Sequence, residues 1–222
     1  MTAADIAVMR GAAEQVVRIQ GRYASAGIGL AQAALAGARR LDPLRHYPRD
    51  DVIDHEGRAQ FFYHAHPSSS VPEGEHGHFH LFRRLRGKGR FNHIAALSLD
   101  ARGLPIRWFT TNRWVTGEQW ADADTLIEAL GRFRPRTSGR LAPVAEWLGA
   151  MTRLHADVIA SLLHERDRLV GRLAKTRGLE ELLEDRHHDV LTESPVSLGE
   201  RLGALARRAP EPTRRDGHPT TR

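Results

Sequence analysis

Eight of the thirteen histidines fall between His46 and His93, and five of them lie in two short runs. These are His64-Ala65-His66 and Glu75-His76-Gly77-His78-Phe79-His80. Neutral imidazole is the commonest protein ligand for zinc, iron, copper and nickel. Three such ligands, or two with a carboxylate, hold an ion and leave a position open for water or substrate. His64, His66, His76, His78 and His80 are therefore the candidate metal ligands, with Glu75 the nearest carboxylate and Glu73 the next. Asp51, Asp54 and Glu56 stand just upstream, where they could join the centre or orient a ligand from behind.

Such a centre requires the two runs to share one face of a sheet. Residues 59–66 (AQFFYHAH) and 76–85 alternate as strands do, and alternate residues of a strand share a face. The connection from Pro67 to Glu75 is centred near Val71, which sets His64 opposite His78 and His66 opposite His76. In that register one face carries Phe62, His64, His66, His76, His78, His80 and Phe82. The other carries Phe61, Tyr63, Ala65, Gly77, Phe79 and Leu81, almost wholly apolar. A slip by one residue would mix the two sets, which a sheet with one buried face disfavours. Directly opposed β-carbons stand roughly 4.5–5.5 Å apart, near enough for several imidazoles to share an ion.

The elements that position this pair follow from pattern. Residues 91–99 and 104–111 supply two further strands, joined by Asp100-Ala101-Arg102-Gly103 as a tight turn with Gly103 at positive φ. A four-stranded antiparallel meander over 59–114 is expected. Helices are expected over 3–38, with a break at Gly27 and Gly29, and again over 122–190. Asp122 or Asp124 caps the first of the later helices. A long amphipathic helix then runs from Pro143 to about Thr176, and Gly178 ends it. The fold class is α+β, as one domain over 1–208 with a disordered basic tail over 209–222.

Composition narrows the function classes. There is no cysteine, which excludes disulfides, thiolate metal sites and a cysteine nucleophile. The net charge of +6 is concentrated at the end, where six arginines from Arg201 to Arg222 face only Glu211 and Asp216. That tail has no aromatic residue for base stacking, so no specific nucleic-acid partner is expected. Arg83 to Arg90 packs five basic residues into eight and reads as a soluble hairpin tip. No run approaches the roughly 18 apolar residues of a membrane span, and residues 1–17 lack the layout of a signal peptide. A cytoplasmic protein without a membrane partner is expected, with a small molecule as candidate substrate.

Several stretches together resemble an uncharacterised family of bacterial hypothetical proteins. They are His46-Tyr47-Pro48 with Asp51-Val52 and Asp54, then Gln60 to His66, and Glu75 to His80. Thr110 to Trp114, Trp147-Leu148 with Met151, Arg166-Asp167 and Glu184 to Arg186 extend the resemblance to about Leu205. It implies a shared architecture and no particular chemistry. The run His76 to Phe82 also resembles the histidine-triad nucleotide-hydrolase pattern, but Gly77 stands where that pattern has a hydrophobic residue, and no phosphate-binding context accompanies it. The pair His64 and His66 is similar to a cupin ligand pair, without a glutamate at the cupin spacing.

The sequence thus points to a divalent transition metal, iron or zinc, on the histidine face, with a metal-dependent reaction as its use. The competing expectation is a non-enzymatic interaction module whose histidines form a pH-responsive surface.

Overall fold

The chain opens on a helix, α1 (Ala3–Ser25), started by a reciprocal cap in which Thr2 and Asp5 satisfy each other's backbone amides. Its buried side, Met9, Ala12, Ala13, Val16 and Ile19, follows the helical period. Gly27 turns the chain at φ 68°, and a short α2 (Leu30–Ala34) follows. The computed structural model describes residues 2–67, 72–85 and 91–208. The expected tail over 209–222 and most of the basic hairpin tip lie outside the described residues.

The sheet has six antiparallel strands in chain order, a correction to the expected four. They are β1 (Tyr47–Asp54), β2 (Ala59–His64), β3 (Gly77–Arg83), β4 (Asn92–Leu99), β5 (Pro105–Thr111) and β6 (Val190–Pro195). The central four match the runs read from the sequence. β1 and β6 are the additional edges, and neither shows clean alternation of buried and exposed residues. The β4–β5 turn closes as expected, with Gly103 at φ 85° and Asp100 accepting from the amides of Arg102 and Leu104.

Between β5 and β6 the chain builds α3 (Arg113–Thr116), α4 (Ala123–Gly131), α5 (Ala142–Leu154), α6 (Ala156–Arg177) and α7 (Leu179–Leu183). The helix α8 (Leu198–Arg207) ends the described chain. Asp122 caps α4 through the Thr125 amide. The expected long helix is two, broken at His155, whose φ of −118° and ψ of 24° leave the helical region. Its apolar stripe is continuous through the break, so periodicity carried no sign of it.

One face of the sheet packs onto helices. Phe61, Tyr63, Phe79, Leu81, Leu97 and Trp108 form one buried cluster with α1 and α5 residues such as Val16, Trp147 and Met151. Removing this apolar area from water at roughly 25 cal/mol per Å² is the main force holding the sheet flat against the helices. The opposite face carries the histidines.

Candidate metal centre

The register of β2 and β3 is the one expected from parity: His64 pairs with His78, Phe62 with His80, and Tyr63 with Phe79. Pairing through Leu97 and Ala96 of β4 extends the same alternation, so Ser98 lies beside His78 on the histidine face. Gly77 is needed at the start of β3. A β-carbon there would stand 2.6 Å from the His64 carbonyl and 2.8 Å from the Tyr63 ring.

His64, His78 and His80 are buried, at 8%, 3% and 1% exposure, and each offers a ring nitrogen within 4.8 Å of the others. Nε2 of His64 lies 2.7 Å from Nε2 of His78 and 3.2 Å from Nε2 of His80. Two nitrogens bound to one ion at about 2.0–2.1 Å in a tetrahedral arrangement would be about 3.4 Å apart. The His64–His80 separation is close to that value, and the His64–His78 pair would open by about 0.7 Å to hold an ion between them.

The outward nitrogens are held. Nδ1 of His78 lies 2.6 Å from Oε1 of Glu75. An ionised carboxylate only accepts, so His78 donates from Nδ1 and keeps its Nε2 lone pair for the centre. Oε2 of Glu75 accepts from Ser98 Oγ at 2.7 Å and from Arg107 at 3.1 Å. Burial alone would raise the Glu75 pKa, but these hydrogen bonds and the charges of His78 and Arg107 outweigh it and hold the carboxyl at about 2. Nδ1 of His80 meets Nε2 of His93 at 3.0 Å, and Nδ1 of His93 meets the Thr111 hydroxyl at 3.2 Å. A donor chain from His80 through His93 to Thr111 leaves Nε2 of His80 free to ligate.

Burial also fixes the charge state. It pushes His64 down to about 2, with His78 and other imidazoles adding to the effect. It pushes His93 down to about 3, aided by Arg166 and His78, and His80 well below its ordinary value. These rings are neutral at physiological pH, the form that binds metals.

The other expected ligands are placed differently. His66, just past the end of β2, packs its ring on His78 and edge-on to His64, at centroid distances of 5.4 and 4.8 Å. The structure does not bring His76 to the centre. It precedes β3, and its Nδ1 bonds the Tyr63 hydroxyl at 2.8 Å. Tyr63 belongs to the helix-covered face, so strand alternation does not govern His76. Glu75 touches the centre through His78 rather than directly. Among the upstream carboxylates, Asp51 accepts from His46 Nδ1 at 2.8 Å and from Gln60 at 2.6 Å, whereas Asp54 bonds the amides of Gly57 and Arg136.

Two contributors were not singled out from the sequence. Leu81 pairs with Ala95 and Phe82 with His93, so Ile94 is an extra residue in β4. Strict alternation from Ala96 would turn His93 toward the helices, and the bulge re-aims it at His80. The second is Glu118, 6% exposed, whose Oε2 accepts from the His93 amide at 2.6 Å. Burial pushes its pKa up to about 8 despite that hydrogen bond and the charges of Arg166 and Arg113. The Glu118 segment is pinned by Arg166 of α6, which donates to the Ala121 carbonyl at 2.7 Å and covers the Trp120 ring.

A cavity of about 320 Å³ adjoins the centre. His64 and His80 contribute to its wall, with His46, Phe62, Phe82, Phe91, Thr116 and Glu118 around it. Among the described residues no helix is long and apolar enough to cross a membrane.

A family model described as a domain of unknown function, DUF6969, matches residues 10–196. No curated protein and no solved structure matches the chain.

Proposed function

The chain belongs to the DUF6969 family, and we propose that it binds one divalent transition metal, zinc or iron, through Nε2 of His64, His78 and His80. The observation that carries this reading is the convergence of three buried imidazoles, two of the nitrogen separations being 2.7 and 3.2 Å. Lone pairs aimed at each other inside a protein repel unless a proton or a cation lies between them. Burial disfavours a second proton on the His64 and His80 rings, and an ion shared by the three nitrogens can take the place of the proton between them. The carboxylate behind His78 is a support that metal-bound histidines characteristically have, and the His93 imidazole holds the outer nitrogen of His80 in the same position.

Three protein ligands leave at least one coordination position open, and the cavity walled by His64 and His80 gives a small molecule access to it. This supports a metal-dependent enzyme in which the ion polarises an oxygen of the substrate or activates bound water or dioxygen. The competing expectation of a solvent-facing, pH-responsive histidine surface accords poorly with the burial of all three rings.

The test is elemental analysis of protein expressed without a histidine tag, wild type beside the His64→Ala/His78→Ala double variant. The reading expects about one equivalent of metal in the wild type and loss of it in the double variant. Metal-free wild type that takes up none on incubation with zinc or iron(II) would overturn it.

A further inference from the structure

The cavity beside the histidines has features that the metal centre alone does not use. Oε1 of Glu118 is buried without a hydrogen-bond partner among the described residues, and so is Oγ1 of Thr116. Both residues line this cavity. A buried polar atom left unpaired costs about 1–3 kcal/mol, so two on one cavity wall indicate a partner that the described residues do not provide. Phe62, Phe82 and Phe91 supply flat apolar surface around them. Phe62 and Phe82 stack at 5.7 Å, and the His46 ring lies parallel to Phe62 at 3.6 Å.

We propose that this cavity is the substrate pocket of the centre and takes a small uncharged molecule with a flat ring and a carbonyl or hydroxyl oxygen. The ring lies among the phenylalanines, and the oxygen is held by Glu118 and Thr116. Its role as a substrate site rests on the metal reading, whereas its capacity to bind such a molecule does not. The size fits: a cavity of about 150 Å³ accommodates benzene, and this one, at about 320 Å³, has room for a substituted ring. The charge also fits. Among the described residues no lysine or arginine lines the cavity, and the Arg84 guanidinium lies over the Phe91 ring at 4.6 Å, where it serves as a cation on an aromatic face. The two oxygens of Asp51 are engaged by His46 and Gln60, so they do not solicit a cation. With its carboxyl protonated up to about pH 8 by burial, Glu118 is a hydrogen-bond donor at neutral pH.

The experiment is calorimetric titration with benzamide, which has the ring and the carbonyl and no charge. It is run on zinc-incubated and on chelator-treated wild type, and the metal content of both samples is measured. Binding is expected in both. Cyclohexanecarboxamide, which lacks the flat ring, and benzoate, which carries a charge, should bind more weakly. Glu118→Leu should weaken benzamide binding by about tenfold and Thr116→Val by about fivefold, the loss of one hydrogen bond each. Glu118→Gln, which retains a donor, should preserve most of it. Thr116→Val is the decisive variant should Glu118→Leu fail to fold. The proposal is overturned by absence of benzamide binding in both wild-type samples, by equal binding of cyclohexanecarboxamide, or by unchanged binding to Thr116→Val. Absence of metal from the zinc-incubated sample and from a parallel iron(II)-incubated one overturns the metal reading instead, and the benzamide result still decides whether the pocket binds its ligand.

Discussion

Replacing Glu75 by glutamine probes the centre without touching a proposed ligand. The Glu75 side chain is 1% exposed, and its two oxygens serve His78 on one side and Ser98 with Arg107 on the other. Holding its pKa at about 2 rather than 4.5 amounts to about 3 kcal/mol in favour of the carboxylate. His78 contributes more to that lowering than Ser98 or Arg107. Glutamine keeps the shape and an acceptor oxygen but removes the charge that raises the basicity of His78. The expected outcome is a 10–30-fold loss of metal affinity, within the range known for supports behind metal-bound histidines. The assay is competition for zinc against a chromophoric chelator, with circular dichroism to verify the fold. Glu193→Gln removes the other carboxylate paired with Arg107, which is itself half exposed, and serves as the control; its affinity should stay within about twofold. A folded Glu75→Gln protein that binds zinc as tightly as wild type would refute the idea that this carboxylate tunes a ligand.

Metal-free protein should lose stability on acidification because buried neutral histidines must take up protons to unfold. His155, away from the centre against Trp108, is pushed by burial from 6.5 down to about 4. Its contribution is complete above pH 6.5 and is lost progressively as pH falls toward 4, amounting to about 2 kcal/mol between pH 7 and pH 5. Urea denaturation at the two pH values should show a smaller drop for His155→Gln than for wild type, and equal drops would contradict this. Gly77→Ala drives a β-carbon into the His64 carbonyl and the Tyr63 ring, and should cost about 2 kcal/mol or more together with weakened zinc binding. In contrast, Gly171→Ala meets nothing within 4 Å in α6 and should raise stability by about 0.5–1 kcal/mol. Thermal melts of the two glycine variants should therefore shift in opposite directions.

How far the sequence revealed the centre depended on whether local alternation governed each residue. His64, His78 and His80 sit in paired strands with one greasy face, so parity alone sets their register. His76 lies one residue before β3 begins, where the pleat no longer dictates direction, and it bonds Tyr63 instead. His93 faces the centre only because Ile94 is extra, and a bulge is not marked by residue type in FNHIAALSL. Thr116 and Glu118 reach the cavity from a segment following β5, a long-range placement that no local pattern encodes. The edge strands β1 and β6 escaped for a different reason. An edge has one neighbour and is often polar or irregular, and β1 carries Pro48 and shifts register between Tyr47 and Val52. The break at His155 has no glycine or proline to announce it, and tertiary packing imposes it on a continuous helical stripe.

The most direct measurement is an anomalous difference map from crystals of the tag-free protein, collected across the absorption edge of the metal that copurifies or is added. The account predicts one peak about 2.0–2.2 Å from Nε2 of His64, His78 and His80, with density for a further small ligand on the cavity side. A peak coordinated elsewhere, or crystals grown with added metal that show none at these three nitrogens, would contradict it.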